Sequence, residues 1–163
     1  MNAHLKWILF TCFLSTHTIC FWNEVFPQTH STKPDSTRAS ELFDKARIFR
    51  REAQHDSADF YFEKAKAIYE RIEDWINYLK CCNQMGEQLW QRSPRQRAID
   101  YLENNVLKRF VDKSVDQNLE LEISESLTYI GLAHKFLERY ETSLGFFQSS
   151  LRKKIKILGA ARG

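Results

Sequence analysis

The chain has 163 residues, a formal net charge of +3 and 43% hydrophobic residues, which is enough for one folded domain with a core of ordinary size. Its five glycines and three prolines are too few for the many turns of an all-β fold, and its 28% charged residues argue against global disorder. Basic and acidic residues are scattered along the chain, so no basic face indicates a nucleic-acid partner.

Residues 1–22 predict a targeting segment. Lys6 supplies a short positive region, and residues 7–14 form an apolar run of the length that a signal peptide requires. The apolar stretch over 7–22 is also near the length of an uncleaved membrane anchor. Both interpretations predict that the rest of the chain is exported, either periplasmic or secreted, or anchored in the membrane with the repeats outside the cytoplasm, because Lys6 keeps the N-terminus inside. A buried N-terminal helix is the alternative.

The remaining residues predict a spacer and a helical region. Residues 23–38 contain two prolines and no apolar periodicity, as expected of a spacer. From residue 39 to 159 the apolar residues recur with helical spacing. This region divides into three predicted repeats and is followed by a short tail: 39–72, 75–112 and 115–158, then 160–163.

Small residues recur at matched positions in these repeats. Each repeat contains a small residue, a second one twelve positions later and a large apolar residue four positions after that. These triplets are Ala46, Ala58 and Phe62; Gly86, Ala98 and Leu102; and Gly131, Ser143 and Phe147. Two packed helices need small residues where their backbones approach and large residues beside the contact. The spacing therefore predicts three antiparallel helix pairs stacked in series.

Capping patterns predict where three of the helices begin. Residues 93–96 form a capping box with Pro94 at the first helical position, and residues 114–117 form another. Asp56 and Ser57 are candidate caps for the helix that contains the second small residue of the first repeat.

At the triplets the chain resembles the tetratricopeptide repeat, whose pattern is W-x2-L-G-x2-Y, then A-x3-F, then P. The similar segments are Leu42-x3-Ala46-x2-Phe49 with Ala58-x3-Phe62, Met85-Gly86-x2-Leu89 with Ala98-x3-Leu102, and Ile130-Gly131-x2-His134 with Ser143-x3-Phe147. The closing proline is absent, and the repeats are longer than the usual ~34 residues, as in kinesin-light-chain-like repeats. The resemblance implies an all-α fold, a right-handed superhelical stack of about three antiparallel helix pairs (an α-solenoid), that acts as a protein-interaction scaffold.

The resemblance also implies that a peptide or protein partner binds in a concave groove lined by the first helix of each repeat. The residues projected onto that groove are Phe43, Arg47, Arg50, Asn83, Glu87, Trp90, Thr128, Leu132 and Lys135. Trp90 is the first candidate, because Trp and Arg are enriched among binding hot spots. The alternative is that these side chains are solvated or pack against neighbouring repeats.

Some members of the family clamp the carboxy-terminus of chaperone peptides with a specific set of Lys, Asn and Arg side chains. The corresponding places here hold other residues, so this activity is not expected: Phe43, Arg47, Gln84, Glu125 and Tyr129.

No catalytic motif, metal-ligand spacing or phosphate-binding loop occurs in the sequence. His134 stands where the repeat has an aromatic residue, which favours a structural role. Cys81 and Cys82 are adjacent on a predicted helix and point about 100° apart, so a disulfide between them would be strained. We therefore expect no enzyme activity, no cofactor and no metal.

The last predicted helix would expose an apolar edge formed by Phe146, Leu151, Ile155 and Leu158. Terminal repeats normally cover such an edge with a polar capping helix. Three explanations stay open: a homodimer formed through this helix, docking of the edge onto another chain, or a sequence that is the N-terminal recognition part of a longer signalling or protease protein.

Overall fold

In the computed structural model, which describes residues 34–92, 94–110 and 116–160, the protein is all-helical, and no strand occurs within those ranges. The helices are α1 (Asp35–Arg51), α2 (His55–Arg71), α3 (Trp75–Gln91), α4 (Gln96–Leu102, continued by Glu103–Leu107 and Lys108–Phe110), α5 (Gln117–Phe136) and α6 (Tyr140–Ala160). The all-α prediction is confirmed. None of these helices is both long enough and apolar enough to cross a membrane, and the predicted targeting segment, 1–22, lies outside the described residues.

Helix α1 begins inside the predicted spacer, four residues before the predicted start of the helical region. Pro34 precedes the helix and its carbonyl accepts a hydrogen bond from Arg38 N at 3.1 Å. A proline at this position loses nothing, because its missing N–H would have no partner inside the helix. Asp35 in the first turn forms an ion pair with Arg71 of α2 at 2.9 Å. The backbone bond to the Pro34 carbonyl and this ion pair are therefore the contacts that accompany the earlier start of the helix.

The matched small residues lie where the two helices of each pair cross, as predicted. Ala46 and Ala58 are fully buried in one cluster with Phe62. A Cβ on Gly86 would lie 2.6 Å from Leu102 Cδ1, and one on Gly131 would lie 2.8 Å from Phe147 Cε1. The three pairs α1–α2, α3–α4 and α5–α6 are therefore built on the same close approach.

The pairs also pack against one another to form a stack. Helix α2 contacts α3, and α5 contacts both α3 and α4. The core is densest along α3, where Tyr78, Leu79, Cys81 and Cys82 have no exposed surface. Burial raises the pKa of the Cys82 thiol to about 11. Both α3 thiols therefore stay protonated near neutral pH and pack as small hydrophobic side chains.

Three of the turns between helices each contain one residue with a left-handed backbone conformation. Ala53, Glu73 and Glu138 have φ values of 57°, 57° and 59° and follow α1, α2 and α5. In each turn the next residue closes a hydrogen bond to the carbonyl five positions earlier, such as Gln54 N to Phe49 O at 2.9 Å. This is the Schellman arrangement, in which glycine is the usual left-handed residue. The chain uses non-glycine residues there, at a conformational cost of about 1 kcal/mol each.

The predicted caps are wrong in detail. Helix α2 begins at His55 after Gln54, so neither Asp56 nor Ser57 caps it. The preceding left-handed turn brings the Gln54 carbonyl within 3.0 Å of Ala58 N, and this contact starts the helix two residues before the start that an Asp56 cap would give. Helix α5 begins at Gln117, with the Asp116 carboxylate accepting from Leu119 N at 2.9 Å. Ser114, the predicted cap, lies outside the described residues.

The remaining capping box, at 93–96, also departs from the prediction. Helix α4 begins at Gln96, two residues after Pro94, and Arg95 precedes it without a side-chain cap. The carbonyl of Pro94 accepts instead from Arg97 N at 3.2 Å. A tight turn at Pro94 therefore precedes the helix, and Ser93, the predicted cap, lies outside the described residues.

Candidate functional site

A cavity of about 350 Å³ lies between the first helices of the three pairs. Each of α1, α3 and α5 contributes three side chains to its wall. The lining residues are Phe43, Arg47, Arg50, Lys80, Asn83, Gln84, Glu122, Glu125 and Tyr129. Within each helix these positions are three or four residues apart, or adjacent, so they share one face. The volume falls in the range of known ligand sites, about 300–1,000 Å³.

The wall between α3 and α5 is held by one buried amide. Asn83 is only 4% exposed, and its Nδ2 donates to both the carbonyl oxygen and the Oε2 of Glu122 at 2.9 Å. Its Oδ1 accepts from the hydroxyl of Ser126. With donor and acceptor both satisfied, the amide fixes the two helices relative to each other and orients the Glu122 carboxylate.

The Glu122 carboxyl is electrostatically unusual. Burial raises its pKa above the ordinary value, and the hydrogen bond from Asn83 and the charge of Lys80 offset part of that rise. Two α3 side chains, Asn83 and Lys80, therefore stabilise the carboxylate form and offset part of the free energy that desolvation costs it.

Charge is divided between the two sides of the cavity. Arg47 and Arg50 on α1 supply cations, and Lys80 on α3 adds a third. Glu122 and Glu125 on α5 supply carboxylates on the opposite side. The cavity therefore has positive charge on the side of α1 and negative charge on the side of α5.

Ion pairs outside the cavity hold two of these charges in position. Arg50 pairs with Glu87 of α3, and both side chains are about 30% exposed. Glu125 pairs with Lys154 of α6 at 3.0 Å. Arg47, whose side chain is 57% exposed, is 3.7 Å from Asp44 on its own helix. Arg47 is therefore less constrained by its ion-pair partner than Arg50 is.

The cavity wall also contains two aromatic rings and a buried acceptor. Phe43 packs edge-on against Phe62 at 5.4 Å between ring centroids. Burial raises the pKa of the Tyr129 hydroxyl to about 12, so this side chain stays neutral. The Oε1 of Gln84 is buried and has no hydrogen-bond partner among the described residues. A buried acceptor without a donor costs about 1–3 kcal/mol, so a donor that enters beside Gln84 would recover part of that cost.

Four of the nine projected groove residues line this cavity, and a fifth adjoins it. Phe43, Arg47, Arg50 and Asn83 are in the wall, and Glu87 pairs with Arg50 beside it. The five positions that the sequence analysis compared with a chaperone clamp are all in the wall, including Gln84, Glu125 and Tyr129. The fold therefore brings together the projected residues of α1 and most of those of α3.

The other four projected residues lie elsewhere. Trp90 stacks on Phe136 with 5.5 Å between ring centroids, and Lys135 Nζ lies 5.9 Å from that same Phe136 ring. Thr128 Oγ1 is 2.9 Å from Ser150 Oγ, so it faces α6. Leu132 is half-buried and is not among the lining residues. The reason is the rotation of α5 about its own axis. The face that lines the cavity carries Glu122, Glu125 and Tyr129, and it lies about 100°, or one residue, from the face that the sequence predicted.

Two lining residues were neither projected onto the groove nor named as clamp positions. Lys80 lies three positions before Asn83, and Glu122 lies three positions before Glu125. Each is one helical turn before a residue that the sequence had already indicated, so following the helical period one turn toward the N-terminus would have found both.

Comparison of the chain with protein-family models, with curated proteins and with solved structures found no match. The geometry and the chemistry of the cavity therefore carry the argument for function.

Proposed function

We propose that this protein is an interaction scaffold of tetratricopeptide type that binds an extended segment of a partner protein in the cavity between α1, α3 and α5. One observation carries the proposal: the first helices of three successive pairs converge on a single cavity lined by nine side chains. Peptide sites in stacked helical repeats depend on this arrangement, because each pair supplies contacts to a different part of the ligand.

The charge distribution suggests the chemistry of the bound segment. An acidic side chain fits beside Arg47 and Lys80, and a basic one fits beside Glu122 and Glu125. An apolar side chain next to the acidic one would contact Phe43, which lies one helical turn before Arg47 on α1. We therefore propose a partner segment that contains an acidic, a basic and an apolar residue.

Binding is favoured over catalysis by the composition of the wall. The nine lining residues include no Cys, Ser, Thr or His. Arg50 and Glu125 are already engaged by Glu87 and Lys154, which suits rigid recognition better than proton transfer. We further propose that the scaffold acts outside the cytoplasm, which rests on residues 1–22 alone.

Selection from a library of random peptides displayed on phage tests the proposal. Peptides enriched on the wild-type protein are synthesised, and their dissociation constants are measured by fluorescence polarisation. The double variant Arg47→Glu with Lys80→Glu reverses two exposed cations of the cavity and should weaken binding at least tenfold, about 1.4 kcal/mol.

The matched control reverses two exposed cations outside the cavity, Lys64→Glu with Arg97→Glu. It carries the same change in net charge and should bind the peptides within about twofold of the wild type. Equal losses in both double variants would show that only net charge matters. Failure to enrich any peptide, or equal binding by all three proteins, would overturn the proposal.

A further inference from the structure

The last helix exposes an apolar stripe, which we name the α6 stripe. Its members are Leu144, Leu151, Ile155 and Leu158, and each is 56–60% exposed. Their spacings of seven, four and three residues place them along one face, as in the seam of a coiled coil. Phe146, which the sequence predicted to be exposed, is instead half-buried and stacked on His134 at 5.3 Å. Leu144 therefore takes the place of Phe146 in the exposed apolar face.

Equivalent positions on α2 are covered by the following helix pair. In the repeat register, Leu144 corresponds to Asp59 and Leu151 to Lys66. Asp59 accepts from Gln88 of α3 at 3.1 Å, and Lys66 donates to Tyr101 of α4 at 3.2 Å. This face of a second helix is therefore the face on which the next helices stack.

Equivalent positions on α4 are covered as well. Ile99 corresponds to Leu144 and is 2% exposed, and Val106 corresponds to Leu151 and has no exposed surface. Both are apolar, as on α6, and both belong to the core cluster that contains Leu119 and Ile123 of α5. The α6 stripe thus repeats a surface that is buried on α4.

The charges on α6 identify an occupant. Residues 140–151 contain one acid, Glu141, and no cation, whereas residues 152–160 contain four cations and no acid. Two of these cations, Lys153 and Lys154, pair with Glu120 and Glu125 of α5. A second α6 packed in the same direction would bring the other two, Arg152 and Lys156, close to the same residues of the first copy. Packed in the opposite direction, each cationic half lies beside the half that has no cation, and Leu144 faces Leu158 with Leu151 at the centre. The stripe is therefore self-complementary only in the antiparallel arrangement.

The opposite end of the stack does not complement the stripe. Ile48 is the one large hydrophobic residue of α1 that is exposed, at 45%. Head-to-tail packing of α6 on α1 would set the four apolar side chains against a mainly charged helix. This disfavours open chains of copies and leaves a closed pair.

We propose that this protein forms a two-fold symmetric dimer in which the α6 stripe packs antiparallel against the same stripe of a second copy. The interface is separate from the cavity, so the dimer presents two cavities. The proposal does not depend on the proposed peptide binding.

Sedimentation velocity of the full 163-residue chain tests the dimer. The wild type should sediment as a dimer, and Leu151→Glu should raise the dissociation constant at least 100-fold by placing two carboxylates at the centre of the interface. Ile48→Glu is the matched control, since it makes the same kind of change at an exposed apolar residue of α1, and it should leave the dimer intact. Circular dichroism confirms that both variants fold.

Cysteine cross-linking tests the orientation in a background with Cys12→Ser and Cys20→Ser. In an antiparallel pair, Leu151→Cys should cross-link to itself, and a mixture of Leu144→Cys and Leu158→Cys chains should form the mixed dimer. Leu158→Cys alone should not, because two copies would be about 20 Å apart at 1.5 Å per residue, and a disulfide requires Cα atoms within about 7 Å.

Three outcomes would overturn the proposal. The first is a monomer at 100 µM wild-type protein. The second is a dimer that resists Leu151→Glu, which would assign association to another segment such as residues 1–33. The third is efficient cross-linking of Leu158→Cys to itself, which would mean a parallel pair.

Discussion

The side-chain amide of Asn83 links α3 to α5 by donating to both the carbonyl oxygen and the carboxylate of Glu122 at 2.9 Å. A third bond, from the Ser126 hydroxyl, completes the amide. This contact lies in the wall of the cavity, so the residue that joins the second and third helix pairs also shapes the candidate site.

Asn83→Ala should lower the free energy of unfolding by about 2–3 kcal/mol, because it removes three hydrogen bonds and leaves buried partners unsatisfied. Urea denaturation followed by circular dichroism measures the change. Asn104→Ala is the comparison, since Asn104 is exposed and its Nδ2 donates one bond, to Asp100 O at 2.7 Å. That variant should change stability by about 0.5 kcal/mol or less. Similar losses of stability in the two variants would show that the buried Asn83 contact contributes no more to the free energy of unfolding than an exposed hydrogen bond does.

Gly86→Ala should destabilise the protein by about 1–3 kcal/mol despite the better helix propensity of alanine. The new Cβ would lie 2.6 and 2.7 Å from the two Cδ atoms of Leu102. Gly145→Ala is the matched control, because a Cβ there meets nothing within 4 Å, and it should stabilise by about 0.5–1 kcal/mol. Combining Gly86→Ala with Leu102→Ala should lose less than the two single changes together. A gain in stability from Gly86→Ala would contradict the close helix crossing.

Ala53→Gly should raise the free energy of unfolding by about 0.5–1 kcal/mol, since the left-handed φ of 57° strains alanine and suits glycine. The neighbouring Glu52 has an ordinary φ of −84°. Glu52→Gly should therefore destabilise through the added flexibility of the unfolded chain. Thermal denaturation of the two variants beside the wild type separates these effects, and a loss in both would argue against the turn geometry.

Glu122→Gln should stabilise the protein at pH 7 and have a smaller effect as the pH falls. Burial raises the folded-state pKa of this carboxyl, so the folded state binds the proton more tightly than the unfolded state. Stability is then lost as pH rises from the ordinary glutamate pKa through the raised one, whereas the amide has no such loss. Urea titrations between pH 3 and pH 8 measure the difference between variant and wild type. A difference that is constant over this range would contradict the shift.

The repeat register could be predicted from the sequence because close helix packing accepts few residue types. Only a very small side chain fits where Leu102 presses on Gly86, so the matched glycines and alanines mark the crossings in the sequence itself. The all-α class follows from the same pattern. Helix starts were less predictable, because several polar residues near a turn can serve as caps and the left-handed residue decides among them.

The cavity could be predicted only in part. Residues on α1 followed from the helical period, but the rotation of α5 did not. That rotation depends on contacts between distant parts of the chain, such as Asn83 with Glu122, and on the stacking of Trp90 against Phe136 at 5.5 Å. Trp90 therefore joins two repeats, although its residue type made it the first binding candidate.

The sequence and the tertiary structure thus determine different features of this protein. The sequence by itself determined which residues pair two helices, since steric exclusion at a crossing is local and depends on side-chain size alone. The tertiary structure decided which faces of the helices line the cavity and which stay uncovered on α6. Those outcomes depend on the rotation of each helix, which is set by the sum of many weak contacts between residues far apart in the chain.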